Sequence, residues 1–240
     1  MRLRDVAIFI LDVETTGIDT QTSHLCEIGI ERWLPPGYTG PIERTRWSSL
    51  VRPPCSIPSA ASAIHGIYDS DVRDAPPLAQ VLATFRKLVP AGSLVVAHNI
   101  AFDGAFVDLE GRYRACTLRL AQRLWPNAPS HKNSALALWL GVELGGERLH
   151  RAAADAAVTG GIFHRILARM AEIEGSAPTL EQICRLSSPD EPVGHLPFGK
   201  HRGEPLGAVP VEYLRYARDS WHDVEPGIRT AIIAEIERRA

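Results

Sequence analysis

A short apolar run near the start of the chain, residues 6–11, constrains the fold more than any other feature. It leads directly into Asp12 and Glu14, two acids separated by one residue. An apolar run of this length is typical of a strand that is buried on both faces of a sheet. Because side chains alternate along a strand, the two carboxylates face the same side. The pattern therefore predicts a buried strand that ends in a pair of carboxylates.

The segments after this strand have strand patterns first and helix patterns later. Residues 25–34 and 44–51 are predicted as two further strands, with a turn around residues 35–37, which suggests an antiparallel meander. Residues 93–98 are predicted as another short buried strand. Helical patterns cover residues 78–89, 101–109, 117–124 (with Thr117 as a cap), 134–140 and 152–173. This order indicates a mixed α/β domain.

The composition of the chain changes after residue 174. Gly-Ser-Ala-Pro at residues 175–178 is typical of a boundary, so we predict one domain over residues 1–174 and a second unit over residues 175–240. In this unit, Thr179 is predicted to cap a short helix that ends at residue 186. Two further helical patterns cover residues 211–218 and 228–239. The C-terminal unit is therefore expected to be small and mostly helical.

The bulk composition limits the classes of protein to consider. The formal net charge is -2, whereas a tight, nonspecific DNA binder usually has a basic excess that releases counterions from phosphates. Any binding of nucleic acid is therefore expected to be local. No apolar run reaches the roughly 18 residues of a membrane span, so no membrane partner is expected. The acid at Asp5 argues against a secretory signal, and four widely spaced cysteines suggest reduced thiols in a cytoplasmic protein.

Two later segments carry further candidate site residues. Asp103 follows His98 and Asn99 at the start of a predicted helix, and His150 precedes Asp155 by five residues. Residues five apart on a helix do not face each other as i and i+4 neighbours do, so the histidine is expected to precede the helix. Taken singly, each acid has an ordinary alternative, such as a solvated strand end or a helix N-terminus where the dipole favours an acid.

Together, these acids suggest a metal site. Two carboxylates directed into one place repel each other unless cations neutralise them. Oxygen ligands favour hard ions such as Mg²⁺ or Mn²⁺. A carboxylate pair on a strand, a third acid and a His-x4-Asp pair are the composition expected of a two-metal phosphodiesterase site.

The three segments resemble the three exonuclease motifs of the DEDDh class, within the ribonuclease H-like superfamily of 3′-to-5′ exonucleases. Asp-x-Glu-Thr-Thr-Gly at residues 12–17, His-Asn-x-x-Phe-Asp at 98–103 and His-x4-Asp at 150–155 occur in the order of that class. Residues 63–67, Ala-Ile-His-Gly-Ile, resemble its loop between the first two motifs. The resemblance covers about residues 6–170 and implies a ribonuclease H-like mixed sheet flanked by helices.

The resemblance implies a role for each motif residue. Asp12, Glu14 and Asp155 are expected to hold one metal, and Asp103 a second metal that Asp12 shares, both Mg²⁺ or Mn²⁺. His150 is expected to be the general base, since an unperturbed imidazole titrates near neutral pH. The metals would stabilise the attacking and leaving oxygens of an in-line displacement. The product would be a nucleoside 5′-monophosphate.

The resemblance also suggests substrate contacts. The backbone around Thr15 and Thr16 is expected to receive the terminal nucleotide and its 3′ hydroxyl. His65, Asn99 and Phe102 are candidate contacts to the last nucleotides, with Phe102 able to stack on a base. Two alternatives stay open: Phe102 as an aromatic residue of the core, and His65 as a turn residue that caps nearby backbone.

Beyond the motifs, the chain resembles the exodeoxyribonuclease X branch of the class. The resemblance lies in residues 116–126 and 133–136 and in Phe-Gly-Lys-His-Arg-Gly at residues 198–203 of the C-terminal unit. It implies action on DNA 3′ ends, single-stranded or duplex, in repair or recombination. In the last segment Lys200 and Arg202 are candidates for an accessory DNA contact, because flanking glycines let backbone approach phosphate. A solvated turn is the alternative.

Two other functions stay open at this point. An exoribonuclease of the same superfamily would differ in how it treats the 2′ hydroxyl, and the C-terminal unit argues against it. A catalytically silent nucleic-acid-binding module would have kept only the fold. The intact acid set with His150 argues against this module, because clustered carboxylates near phosphate do not help a binder.

Overall fold

The computed structural model describes residues 1–34, 43–144 and 150–239, so the turn predicted around residues 35–37 lies outside the described residues. Five strands form one sheet in the order β3-β2-β1-β4-β5. They are β1 (Ile8–Thr15), β2 (Leu25–Leu34), β3 (Glu43–Leu50), β4 (Leu94–Ala97) and β5 (Tyr113–Cys116). β1 pairs antiparallel with β2 and parallel with β4, which confirms the mixed sheet and its early meander.

Ten α-helices accompany the sheet in the described residues. They are α1 (Ser59–His65), α2 (Asp69–Val72), α3 (Leu78–Leu88), α4 (Ile100–Phe106), α5 (Thr117–Leu124), α6 (Asn133–Trp139), α7 (Ala152–Glu174), α8 (Leu180–Ser187), α9 (Val211–Ser220) and α10 (Pro226–Arg238). None of the helices in this part of the chain is long and apolar enough to cross a membrane.

Strand β1 is buried on both faces, as its apolar run predicts. Ile8 and Ile10 pack against α5, α6, α7 and α8 on one side of the sheet. Phe9, Leu11 and Val13 pack against α3 and α4 on the other. Each such side chain, fully buried, contributes about 1.5–3 kcal/mol, so the strand that carries the acids is anchored on both faces of the sheet.

Some local expectations differ from the structure. β1 begins two residues later than predicted and continues to Thr15, so its acids lie inside the strand. β5 was not predicted, because Tyr-Arg-Ala-Cys is too short to show a pattern and only its last two residues are buried. The cap position of α5 is Cys116, not Thr117, whose hydroxyl instead bonds His98. Thr179 caps α8 as predicted, its hydroxyl accepting from the Gln182 amide at 3.2 Å.

The C-terminal part of the chain contains a core of its own. Leu196, Leu206, Leu214, Ile228 and Ile232 belong to an apolar cluster formed by α9, α10 and the segment before them. Helix α8, in contrast, packs into the core beside β1. The division at residue 174 stays a prediction, and by packing α8 lies with the sheet. We call residues 193–239 the C-terminal module and the described residues up to 187 the sheet domain.

Candidate active site

The sheet brings three carboxylates of the sequence motifs together. Asp12 and Glu14 lie on the face of β1 that also carries Ile10 and that α7 covers. Asp155 lies in the first turn of α7. One carboxylate oxygen from each of the three lies within 4.8 Å of the other two. The alternation along the strand therefore directs both acids to one place, as predicted, and the third acid reaches them from the helix.

A glycine on β2 permits this close approach of α7. Gly29 pairs with Asp12 in the strand register. A Cβ atom at Gly29 would lie 2.3 Å from the carbonyl carbon of Ala152 and 2.4 Å from the backbone nitrogen of Ala153. Any other residue would push the first turn of α7 away, because real Cβ atoms do not approach backbone this closely. Gly29 thus sets the distance between Asp155 and β1.

A fourth acid, Glu27, anchors the start of the same helix. It lies opposite Glu14 in the register and is 3% exposed. Its carboxylate accepts from Arg151 at 2.9 Å (Nε) and 2.7 Å (Nη2), and from the Ala152 backbone amide at 3.1 Å. Such paired, charge-assisted bonds fix orientation as well as position. Glu27 was not predicted from the sequence, because β2 also carries the charged residues Glu31 and Arg32 and the partner Arg151 lies far along the chain.

The pKa values of the carboxylates are raised, as expected of buried like charges that a cation would neutralise. Burial, followed by the charges of Asp155 and Glu27, raises the pKa of Glu14 to about 8. Burial, followed by the charges of Asp103 and Glu14, raises the pKa of Asp12 well above its ordinary value. Buried like charges favour the protonated form unless a cation compensates them. A set of oxygen donors this close fits a hard divalent ion.

Asp103 stands beside this set and not within it. It lies in the first turn of α4 and is 5% exposed. Burial raises its pKa to about 7, although backbone amides of Val13 and of Asp103 itself oppose the shift. Its charge is the largest electrostatic cause of the raised pKa of Asp12, so the two carboxylates are close enough to interact strongly. This position suits a carboxylate that binds a second cation together with Asp12.

His150 lies directly before α7, as the five-residue spacing predicts. Its side chain is 57% exposed, and its Nδ1 is 3.9 Å from Oδ2 of Asp155. Its backbone N–H donates to Oδ1 of Asp155 at 3.4 Å. The residue has φ 60°, a left-handed conformation that costs a non-glycine residue free energy and is enriched at functional sites. The imidazole is therefore open to solvent beside the carboxylate cluster.

The residues expected to contact the substrate have different hydrogen-bond partners in the structure. The Thr15 hydroxyl donates to the Gly17 carbonyl at 2.6 Å, and the Thr16 hydroxyl accepts from the His24 amide at 2.9 Å. These two side chains therefore stabilise the turn after β1. Asn99 is exposed at the start of α4.

The two open alternatives find support in the packing. Half-buried Phe102 contacts Phe106, with ring centroids 5.2 Å apart, and packs against the core. His65 is buried, and its Nδ1 accepts from the Ile67 amide at 3.0 Å, as a turn residue would. Its Nε2 has no hydrogen-bond partner among the described residues.

The two basic residues expected to contact DNA, Lys200 and Arg202, differ in their surroundings. Lys200 is exposed, and its backbone amide donates to the Tyr213 hydroxyl at 3.1 Å. The guanidinium of Arg202 is bonded to the sheet domain, donating to the carbonyls of Ala128 and Pro129. The accessory DNA contact expected at Lys200 and Arg202 stays a prediction, and the structure adds that the exposed Arg202 has intramolecular partners for its side chain.

Comparison with known proteins establishes the family. Residues 9–163 match the model of a family described as exonuclease. The chain belongs to this exonuclease family. The membership confirms the resemblance to DEDDh-class 3′-to-5′ exonucleases and the expected class of enzyme, a phosphodiester hydrolase.

Individual relatives cover different shares of this exonuclease. Exodeoxyribonuclease 10 of Escherichia coli K12 is 28% identical over 232 residues, which are 93% of this chain and 96% of the relative. The PolC-type DNA polymerase III of Caldanaerobacter subterraneus is 30% identical over 172 residues, and this chain spans only 12% of it. A structure of exonuclease X in complex with 5′ overhanging duplex DNA has a TM-score of 0.62 and 29% identity. It covers 75% of this chain and 99% of its own.

Proposed function

We propose that this exonuclease is a metal-dependent 3′-to-5′ exodeoxyribonuclease that releases nucleoside 5′-monophosphates from single-stranded or duplex DNA 3′ ends. The observation that carries the proposal is the meeting of Asp12, Glu14 and Asp155 within 4.8 Å, with raised carboxylate pKa values, in a chain of the exonuclease family. DNA as substrate is supported by the match to exodeoxyribonuclease 10 over nearly its full length.

Each site residue then has a role in hydrolysis. Asp12, Glu14 and Asp155 would hold one Mg²⁺ or Mn²⁺, and Asp103 together with Asp12 would hold a second. When bound, such ions neutralise charge on the attacking and leaving oxygens. His150 accepts the proton of the attacking water on Nε2, because its Nδ1 faces Asp155.

The substrate end is proposed to lie between β1 and α4. The turn that Thr15 and Thr16 stabilise presents backbone to the 3′-terminal nucleotide, and exposed Asn99 contacts it from the opposite side. Phe102 and His65 stay candidate contacts to the last nucleotides, beside the core role and the turn role that their packing supports. Lys200 gives an accessory contact to phosphate from the C-terminal module, and this local set of contacts suits an enzyme of low processivity.

The test is nuclease activity on matched 3′-labelled and 5′-labelled DNA and RNA oligonucleotides, with Mg²⁺ or with EDTA. Mononucleotides are expected from DNA 3′ ends, and EDTA is expected to abolish them. Asp12→Asn should lower kcat about a thousandfold or more, since metal stabilisation supplies several kcal/mol and 1.36 kcal/mol is tenfold. Asp108→Asn, at an exposed acid that is not part of the cluster and that pairs with Arg86, is the matched control.

Other results of this experiment would each support one of the two alternative functions. A preference for RNA would identify an exoribonuclease. Binding of DNA without metal-dependent cleavage would identify a silent binding module. A cytoplasmic location and a role in DNA repair or recombination stay predictions from the resemblance.

A further inference from the structure

The segment Phe-Gly-Lys-His-Arg-Gly, residues 198–203, docks on the sheet domain; we call it the docking turn. The guanidinium of Arg202 donates to the backbone carbonyl of Ala128 and, at 3.3 Å, to that of Pro129. Its Nη2 also lies 3.2 Å from Nδ1 of His131. One side chain of the C-terminal module therefore contacts three residues of the sheet domain, Ala128, Pro129 and His131.

The segment that Arg202 holds is the α5–α6 loop, residues 125–132. The next residue of the docking turn, Gly203, has φ 82°, and a Cβ there would lie 2.5 Å from Oδ1 of Asn127 and 3.0 Å from the Pro126 carbonyl oxygen. Only glycine permits this contact. The turn and the loop are thus fitted to each other at two adjacent residues.

On its other side, the α5–α6 loop is hydrogen-bonded to His98, the histidine of the second motif. The carbonyl oxygen of His131 lies 2.8 Å from Nε2 of His98, whose Nδ1 lies 3.0 Å from the Thr117 hydroxyl. Burial lowers the pKa of His98 to about 4, so the ring is neutral near pH 7 and carries one N–H. The His131 carbonyl can only accept, so that hydrogen is on Nε2 and the Thr117 hydroxyl donates to Nδ1. Both ring nitrogens are therefore committed to structure.

His98 in turn fixes the junction between β4 and α4. Its carbonyl accepts from the Leu118 amide at 3.0 Å, so both its backbone and its side chain are tied. The next carbonyl, that of Asn99, accepts from the Asp103 amide at 3.3 Å and opens the first turn of α4. Asp103 projects from this turn. A continuous series of bonded groups therefore runs from Arg202 to the carboxylate that faces Asp12.

We propose that Arg202 is a positioning residue for Asp103, acting through the His131 carbonyl and the ring of His98. The inference rests on the proposed role of Asp103 in holding a cation. When the guanidinium is removed, the α5–α6 loop loses three contacts to the C-terminal module. The His131 carbonyl that bonds His98 is then held less firmly, with the His131 ring still bonded to the Trp125 carbonyl at 3.0 Å. Residues that support metal ligands in this way change cation affinity and kcat, whereas a contact to DNA phosphate changes KM and its salt dependence.

The test compares Arg202→Ala with Arg218→Ala in the full chain. The guanidinium of Arg218 lies in the same module but bonds the neighbouring Asp219. For Arg202→Ala we expect kcat at saturating DNA to fall roughly tenfold and Mn²⁺ affinity, measured by calorimetry, to weaken by a similar factor. KM should stay within about twofold. Amide hydrogen exchange should become faster across residues 98–106 and 125–132, and Arg218→Ala should change none of these.

A second variant, Arg202→Lys, separates positioning from charge. An ammonium keeps a phosphate contact but cannot donate to two carbonyls and a ring in the geometry of a guanidinium. We expect Arg202→Lys to lose kcat as the alanine variant does. The proposal is overturned if Arg202→Ala raises KM with unchanged kcat and Lys restores it, or if kcat and local exchange do not change. An inactive wild type would contradict the proposed function instead, and the hydrogen exchange would still test the coupling.

Discussion

The carboxylates and the histidine of this site are held in contrasting ways. Asp12 and Asp103 project from elements packed in the two cores of the sheet, and burial dominates their pKa values. His150 lies outside the core, is 57% exposed, and contacts Asp155 only at 3.4 and 3.9 Å. The difference indicates that the fold itself places the proposed cation ligands Asp12 and Asp103. The position of His150, the proposed general base, depends on how the start of α7 is anchored.

Substitution of the histidine gives the largest expected effect in this comparison. His150→Gln should lower kcat by about 10²–10⁴, the usual contribution of a general base. Mn²⁺ affinity should stay unchanged, because the carboxylates are placed by the core. Activity assays and calorimetry on His150→Gln and on the exposed control His222→Gln check this. Loss of Mn²⁺ binding in His150→Gln would show that the base and the ligands are not separable.

Removal of the anchor of α7 should have the next largest effect. Glu27→Gln keeps the shape of the side chain but loses the charge that holds Arg151 and the Ala152 amide. We expect kcat to fall about 10–100-fold, the usual cost of losing a group that orients metal ligands. Glu181→Gln, at an exposed helical position, is the control. A wild-type kcat in Glu27→Gln would mean that α7 is placed by packing alone.

Crowding the same junction should affect stability as well as activity. Gly29→Ala introduces a Cβ that would lie 2.3 Å from the Ala152 backbone. We expect a loss of about 1–3 kcal/mol in the free energy of unfolding, typical of overpacking. Gly194→Ala, where a Cβ meets nothing within 4 Å, should be nearly neutral. Urea denaturation of the two variants measures the difference, and equal midpoints would contradict the close approach.

The pH dependence of stability gives the smallest effect. The pKa of Glu14 is raised from 4.5 to about 8 in the folded chain, so the unfolded chain releases this proton more easily. The stabilising contribution is therefore complete below about pH 4.5 and is lost as pH rises through about 8. The Tm of the metal-free protein should fall between pH 6 and pH 9.

Two controls sharpen this pH prediction. Mg²⁺ should reduce the fall in Tm, because a cation binds the ionised carboxylates and takes the place of their protons. Glu14→Gln should reduce it in the absence of metal, since the variant cannot ionise at this position. A metal-free Tm that rises with pH in this window would contradict the assigned direction of the shift.

Much of the sheet and of the carboxylate site was predictable from local pattern. The apolar run before Asp12 predicted the central strand, and β2 has the bounds that its pattern indicated. The spacing of His150 and Asp155 predicted a histidine before the helix and an acid in its first turn, as observed. These features follow from side-chain periodicity and helix geometry, which the order of residues determines directly.

The contacts that set distances between elements depended on the tertiary structure. The roles of Gly29 and Glu27 could not be recognised from the neighbouring sequence. Their partners lie more than a hundred residues away, at the start of α7. Arg202 suggested a cation for DNA, yet its guanidinium holds backbone carbonyls of the α5–α6 loop. Sequence by itself determined the elements and the chemistry they carry. Tertiary structure decided which groups meet, because close packing and long-range hydrogen bonds exist only after the chain has folded.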